Sequence, residues 1–151
     1  MSKKIIKFLS ALPSTSKKKF EFDKKKNLVV FVYPKDNTPG CTNEANDFAK
    51  SHKIFKKYNT EVIGLSKDSI ESHIKFKNKN KFPFELVSDT DIKLIKEIGA
   101  WGEKSMYGKK FIGIKRTTIL IGKNQKIIKI WNNVKVKGHA KSILNYIKEI
   151  N

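Results

Sequence analysis

The stretch VYPKDNTPGCTNEANDF, Val32 to Phe48, carries the chain's single cysteine, Cys41, in a loop rich in proline, glycine and threonine. Immediately beyond it Ala45, Phe48, His52 and Phe55 recur at spacings of three and four, the pattern of one helix face, extending to about Tyr58. Cys41 is therefore expected at or near the first turn of a helix. Unpaired backbone N–H groups and the positive end of the dipole gather there, and they stabilise a thiolate. A free thiol ionises near pH ~8.5, and such a site with basic neighbours can bring it to about 3.5–7.5. Only the thiolate is a strong nucleophile. A lone cysteine can equally be an inert core residue. The flanking Pro34, Thr38, Pro39 and Gly40, which shape a loop and then open a helix, favour the reactive assignment.

A second residue stands out by its rarity. Arg116 is the only arginine among 33 basic residues. Lysine serves everywhere else, so position 116 reads as one that needs the planar fork of donors of a guanidinium.

The elements that must position these residues follow from hydrophobic pattern. Asn27–Tyr33 is nearly continuous in apolar residues, as for a strand buried on both faces. Glu61–Ser66 is a second buried strand, followed by a helix over 68–79 with Ser69 and Glu71 near its start and Ile70 and Ile74 inward. A short strand in FELVSD, a short helix stopped by Gly99, two strands in TTILIG and KIIKIWN joined at KNQ, and a last helix from about His139 complete the series. That last helix is expected to bury Ile143, Leu144, Ile147 and Ile150. Strands alternating with helices describe an α/β sandwich in one domain, residues 1–151.

Composition excludes several classes. No apolar run approaches the ~18–20 residues of a membrane span. The opening MSKKIIKFLSAL resembles a leader faintly, but Lys7 interrupts it, so a cytoplasmic location is expected. One cysteine forms no internal disulfide, which fits a reducing compartment. The net charge of +19 raises nucleic acid as a partner, yet the lysines are spread along the whole chain, as on a solvated surface. No phosphate loop, cysteine pair or His-x-x-x-His is present, so neither cofactor nor metal is expected. His52 and His73 read as packed or surface residues and His139 as structural. Trp101 and Trp131 read as core before pocket lining.

YPKDNTPGCTNEANDF resembles the active-site segment of peroxiredoxins of the Q-type, or bacterioferritin-comigratory, subfamily. GAWGEKSMYGKKFIGIKRTTILIG (Gly99 to Gly122) and WNNVKVKGHAKSILNYIKE (Trp131 to Glu149) resemble its downstream segments in order and spacing, so the likeness covers nearly all of the chain from Leu28. It implies a thioredoxin-like fold with a central mixed sheet flanked by helices on both faces. It also implies a peroxidase that reduces hydrogen peroxide and organic hydroperoxides. In it Cys41 would be the peroxidatic nucleophile and become a sulfenic acid. Arg116, arriving from a strand, would stabilise thiolate and peroxide; the Thr38 hydroxyl would bind the peroxide, and Pro34 would pack over the sulfur. Glu44 also matches the subfamily; in the first turn its plain alternative is a partner for the helix dipole.

The subfamily commonly carries a resolving cysteine five residues after the first, where this chain has Asn46. The sulfenic acid must then be resolved from outside, by thioredoxin or by glutathione with glutaredoxin. A monomer or weak dimer is expected. The same resemblance assigns the N-terminal residues to an early strand and hairpin and leaves little room for a cleavable leader. Two rivals remain: a peroxide sensor that passes its oxidation to a partner, and a basic nucleic-acid-associated protein on the same fold.

Overall fold

The computed structural model describes residues 2–16 and 18–150. In chain order the elements are α1 (Ser2–Ser10), β1 (Asn27–Val32), α2 (Pro39–Lys50), α3 (His52–Lys57), β2 (Thr60–Ser66), α4 (Ile70–Asn80) and β3 (Glu85–Ser88). Then come α5 (Lys93–Ile98), β4 (Trp101–Met106), β5 (Lys109–Ile114), β6 (Thr117–Ile121), β7 (Ile127–Trp131) and α6 (His139–Ile150).

Five strands form one mixed sheet in the order β3-β2-β1-β6-β7. β1, β2 and β3 run parallel, whereas β6 and β7 are antiparallel to their neighbours. β1 lies at the centre, and its side chains alternate between two cores as a strand's period of two requires. Val29, Phe31 and Tyr33 join Phe48, Phe55, Phe76 and Ile143 of α2, α3, α4 and α6 on one face. Leu28, Val30 and Val32 join Ile5 and Leu9 of α1 and Leu94, Ile95 and Ile98 of α5 on the other. A near-continuous apolar strand is thus the signature of a sheet with helices on both faces.

Several expectations change. The helix expected to run to about Tyr58 begins at Pro39, with Cys41 in its first turn as expected, but is interrupted at Ser51, and α3 follows as a separate helix. His52 therefore falls half-exposed at the start of α3, while Ala45, Phe48 and Phe55 are buried. On α4 the inward face is carried by His73 and Phe76, with Ile70 and Ile74 only partly covered. On α6 Ile150 is 44% exposed, one turn beyond the last contact that Ile147 makes with the core.

The N-terminal segment forms a helix in place of an early strand. α1 buries Ile5 and Leu9 under the sheet; beyond it Pro13 bridges Lys19 within the same segment, and Ser14 bridges Val87 of β3. The strands β4 and β5 make a separate two-stranded hairpin that pattern reading left unassigned. Its turn, Tyr107–Gly108, has positive φ at both residues, the geometry that keeps a two-residue hairpin twisted with its strands. Gly99 ends α5 in the left-handed region as expected.

Candidate active site

β1 ends at Val32, which pairs with Thr117 at the start of β6. The chain leaving β1 and the chain entering β6 therefore meet, and Arg116 stands beside the first residues of the 33–38 loop. Arg116 lies on the two-residue link between β5 and β6; the strand position expected for it is off by one.

The loop closes into α2 with Thr38 as N-cap, at φ −85° and ψ 151°, and Pro39 as the first helical residue. Cys41 is the third, within the turn whose N–H groups have no helical partner. Thr38 does not cap with its side chain. Its hydroxyl donates to the Lys35 carbonyl at 2.8 Å, and the Thr42 hydroxyl donates to the Thr38 carbonyl at 2.8 Å. With its hydrogen so committed, Thr38 Oγ1 keeps lone pairs with which to accept from a ligand O–H.

Arg116 links two buried groups on the same face of α2. Nη2 donates to Cys41 Sγ at 3.3 Å, and Nη1 donates to Glu44 Oε1 at 2.7 Å. Cys41 and Glu44 are each 1% exposed. Gly40 permits the approach, since a Cβ there would stand 3.3 Å from Nη2. Burial raises the Glu44 carboxyl to about 7, against the lowering pull of the Arg116 charge and hydrogen bond. Burial lowers Arg116, but the charges of Glu44 and Cys41 outweigh it and hold the guanidinium above its ordinary value. Among the described residues Glu44 Oε2 is buried without a hydrogen-bond partner.

Glu44 is a correction as well as a confirmation of proximity. Because α2 starts at Pro39, Glu44 sits in the second turn, and no acidic residue occupies the first. A dipole partner would be exposed at the first turn; this carboxylate is buried against Arg116.

Pro34 is half-buried and lines, with Arg116, Lys104 and Lys115, a cavity of about 380 Å³. Lys104 is lowered by burial and by the Arg116 charge, with Cys41 pulling the other way, which puts its ammonium within electrostatic reach of the site. Asn46 is half-buried on α2 and lies about 140° around the helix from Cys41, at ~100° per residue. Trp131 packs against Tyr146 and His139 by a different cavity, and Trp101 packs against the α1/α5 core. His139 is buried, with Nε2 at 2.8 Å from the Thr118 hydroxyl; burial and the Arg116 charge lower it to about 4.

One buried network has no signal in the sequence. Asp36, in the loop between Pro34 and Thr38, accepts from the Tyr33 hydroxyl at 2.6 Å and from the Ser72 hydroxyl at 2.8 Å, and lies 2.8 Å from His73 Nδ1. Its backbone N–H donates to Asp68 at 2.9 Å, and His73 Nε2 lies 3.0 Å from the Val87 carbonyl. Burial and the Asp36 charge hold the Tyr33 phenol well above its ordinary value, so it stays a donor. Ligand atoms of Asp36, Asp68 and His73 lie within 4.8 Å of one another, a spacing a metal could use. Both Asp36 oxygens already accept protein donors, so the cluster acts as a clamp that fixes the loop.

Comparison with known proteins finds similarity over most of the chain. A family model described as the AhpC/TSA family matches residues 9–130. Peroxiredoxin Bcp of Bacillus subtilis is 45% identical over 127 residues, covering 84% of this chain and 81% of that protein. A structure of Xanthomonas campestris peroxiredoxin Q aligns with TM-score 0.85 and 38% identity over 91% of this chain and 89% of that one. A structure of the X. campestris bacterioferritin comigratory protein, determined for insight into its alkyl peroxide reduction activity, aligns with TM-score 0.85 and 37% identity over the same shares of the two chains.

Proposed function

The chain belongs to the AhpC/TSA family as a single-cysteine peroxiredoxin of the Bcp, or Q, type, and on that premise we propose that Cys41 is its peroxidatic nucleophile, served by Arg116, Thr38 and Pro34. The enzyme is a thiol-dependent peroxidase on a thioredoxin-like fold. What carries the assignment of roles is the contact between the only arginine and the only cysteine, 3.3 Å apart at the start of α2.

In the oxidation step the Cys41 thiolate attacks one peroxide oxygen. The S–O bond forms as the O–O bond breaks, and the departing oxygen leaves as hydroxide or alkoxide and takes a proton. Arg116 holds the sulfur's charge beforehand and the leaving oxygen's charge as it develops, beside a sulfur that is 1% exposed. Thr38 Oγ1 accepts the hydroperoxide O–H and so orients the O–O bond toward sulfur. Pro34 closes one wall and limits hydration of the thiolate. Glu44 is a positioning residue, fixing the guanidinium through Nη1 so that Nη2 meets the sulfur.

Hydrogen peroxide and organic hydroperoxides are the proposed substrates; the X. campestris relative named for alkyl peroxide reduction supports the second. The sulfenic acid is resolved by an external thiol, from thioredoxin or from glutathione with glutaredoxin, because residue 46 is asparagine. A cytoplasmic monomer or weak dimer fits a single reduced cysteine.

The test is stopped-flow oxidation with stoichiometric hydrogen peroxide, followed by intact mass. Wild type should gain one oxygen at Cys41 far faster than a free thiol does. Arg116→Lys should be slower by about 10²–10³, the size of losing one preorganised donor, and Cys41→Ser should not react. Wild-type oxidation at the pace of a free thiol would remove Cys41 from the peroxidatic role.

A further inference from the structure

Regeneration of Cys41 requires a thiol from outside, because no other cysteine exists in the chain, and that thiol must reach a residue only 1% exposed. Cys41 does not itself line the cavity bounded by Pro34 and Arg116, but Arg116 joins the two, with Nη2 at 3.3 Å from Sγ. At about 380 Å³ the cavity lies within the ~300–1,000 Å³ of small-molecule sites, far roomier than an O–O group demands.

Its polar lining is lopsided. Lys104 of β4 and Lys115 of the β5–β6 link form no ion pair among the described residues. Glu103, the acid on the same wall, is 3.5 Å from Lys110. Arg116 is committed to Glu44 and Cys41. The Lys115 ammonium lies back across Gly102, where an added Cβ would stand 3.2 Å from Nζ and 3.0 Å from Cε, so the absent side chain leaves the cation its place. Lys104 is partly buried beside the Arg116 charge, an arrangement that an incoming anion relieves. Ser105 and Asn133 add neutral hydrogen-bonding groups to the wall.

We propose that this cavity is a carboxylate subsite, with Lys104 and Lys115 as its cations, that seats a small anionic thiol as the reductant of oxidised Cys41. The proposal rests on Cys41 being the peroxidatic residue. The bound thiol's sulfur, as thiolate, attacks Sγ of the sulfenic acid; the S–S bond forms, the S–O bond breaks, and hydroxide leaves with a proton as water. A second thiolate attacks the outer sulfur, releasing the Cys41 thiolate and a small-molecule disulfide. Two thiols are thereby oxidised for each peroxide reduced. A carboxylate-bearing hydroperoxide would satisfy the same two cations, so both reaction steps have to be measured.

Cys41 is first oxidised with one equivalent of hydrogen peroxide, and intact mass confirms the added oxygen. Failure at this stage would count against the peroxidatic role itself, before any thiol is present. The oxidised protein is then mixed with thioglycolate, mercaptoethanol or cysteamine, the rates being compared per thiolate along a Brønsted slope of about 0.4–0.5. At low salt the anionic thiol should lead the neutral one by about tenfold, with the cationic one slowest, the combined reach of two partly exposed ion pairs. The lead should vanish in Lys104→Gln/Lys115→Gln and persist in Lys123→Gln/Lys126→Gln, which removes equal charge from the β6–β7 turn. Because each ratio is taken on one protein, changes in the reactivity of Cys41 cancel.

An unchanged ratio in the cavity variant, or equal loss in both variants, overturns the proposal. So does a third result, in which the cavity variant loses only a preference for linoleic acid hydroperoxide over its methyl ester in the oxidation step. The subsite would then serve the oxidant.

Discussion

Glu44 is the residue whose environment asks most of it. Its carboxyl is buried, accepts a hydrogen bond through one oxygen only, and lies at about 7 in place of 4.5. A folded-state pKa raised above the unfolded one means the folded protein holds the proton more tightly. Its contribution is fully present below about 4.5 and is lost as pH rises through about 7. At ~1.4 kcal/mol per pH unit this amounts to about 3 kcal/mol. Urea unfolding at pH 5 and pH 8 should therefore show wild type losing about 2.5 kcal/mol more than Glu44→Gln, whose amide can still accept from Arg116. Parallel pH profiles for the two proteins would show that Glu44 stays ionised throughout. Cys41, Thr38 and Arg116 were legible because helix-start chemistry is local and a lone arginine shows in composition. Glu44 was legible only as a match, because its partner is 72 residues away and it sits in the second turn of α2 instead of the expected first.

At the scale of elements, what was read correctly follows from burial. β1, β2 and β6 are buried nearly throughout and announce themselves as apolar runs. β4 and β5 carry lysines and exposed Met106 and Ile112, so no alternation marks them. α1 has an amphipathic pattern, but at nine residues it gains little from propensity alone and depends on the sheet beneath it. The Asp36–His73 clamp joins a loop to a helix 37 residues on, and no spacing rule anticipates it. Packing between strands yields its own prediction at Gly64, in β2 between β1 and β3. An added Cβ would stand 2.7 Å from Leu86 Cδ2, 3.0 Å from Phe31 Cζ and 3.1 Å from Tyr33 Cε1. Both rings are fully buried, so they yield only by repacking the core around them. Gly64→Ala should cost about 1–3 kcal/mol of stability, read as a lowered urea midpoint. A midpoint equal to wild type would mean that Leu86 and the rings give way freely.

The whole molecule carries +19, and its charges set a sign that no single contact reveals. Exposed ion pairs such as Lys4–Glu97, Lys26–Glu61 and Lys110–Glu103, at 3.5–4.0 Å, contribute ~0–1 kcal/mol apiece and weaken with salt. Against them stand 33 basic residues facing 14 acidic ones, whose mutual repulsion is greatest when the chain is compact. The buried Arg116–Glu44 and His73–Asp36 contacts are screened far less than either surface group. Raising ionic strength from about 0.01 M to about 0.1 M shortens the Debye length from roughly 30 Å to roughly 10 Å. Long-range repulsion between lysines on different faces is cut before contact pairs are. Stability should accordingly rise with sodium chloride over this range, by about 1 kcal/mol, the magnitude of one exposed pair with the opposite sign. Urea midpoints at the two salt concentrations decide the matter. A midpoint that falls would mean that surface pairing outweighs repulsion, and the lysines would then be organised into networks instead of being spread over a repelling surface.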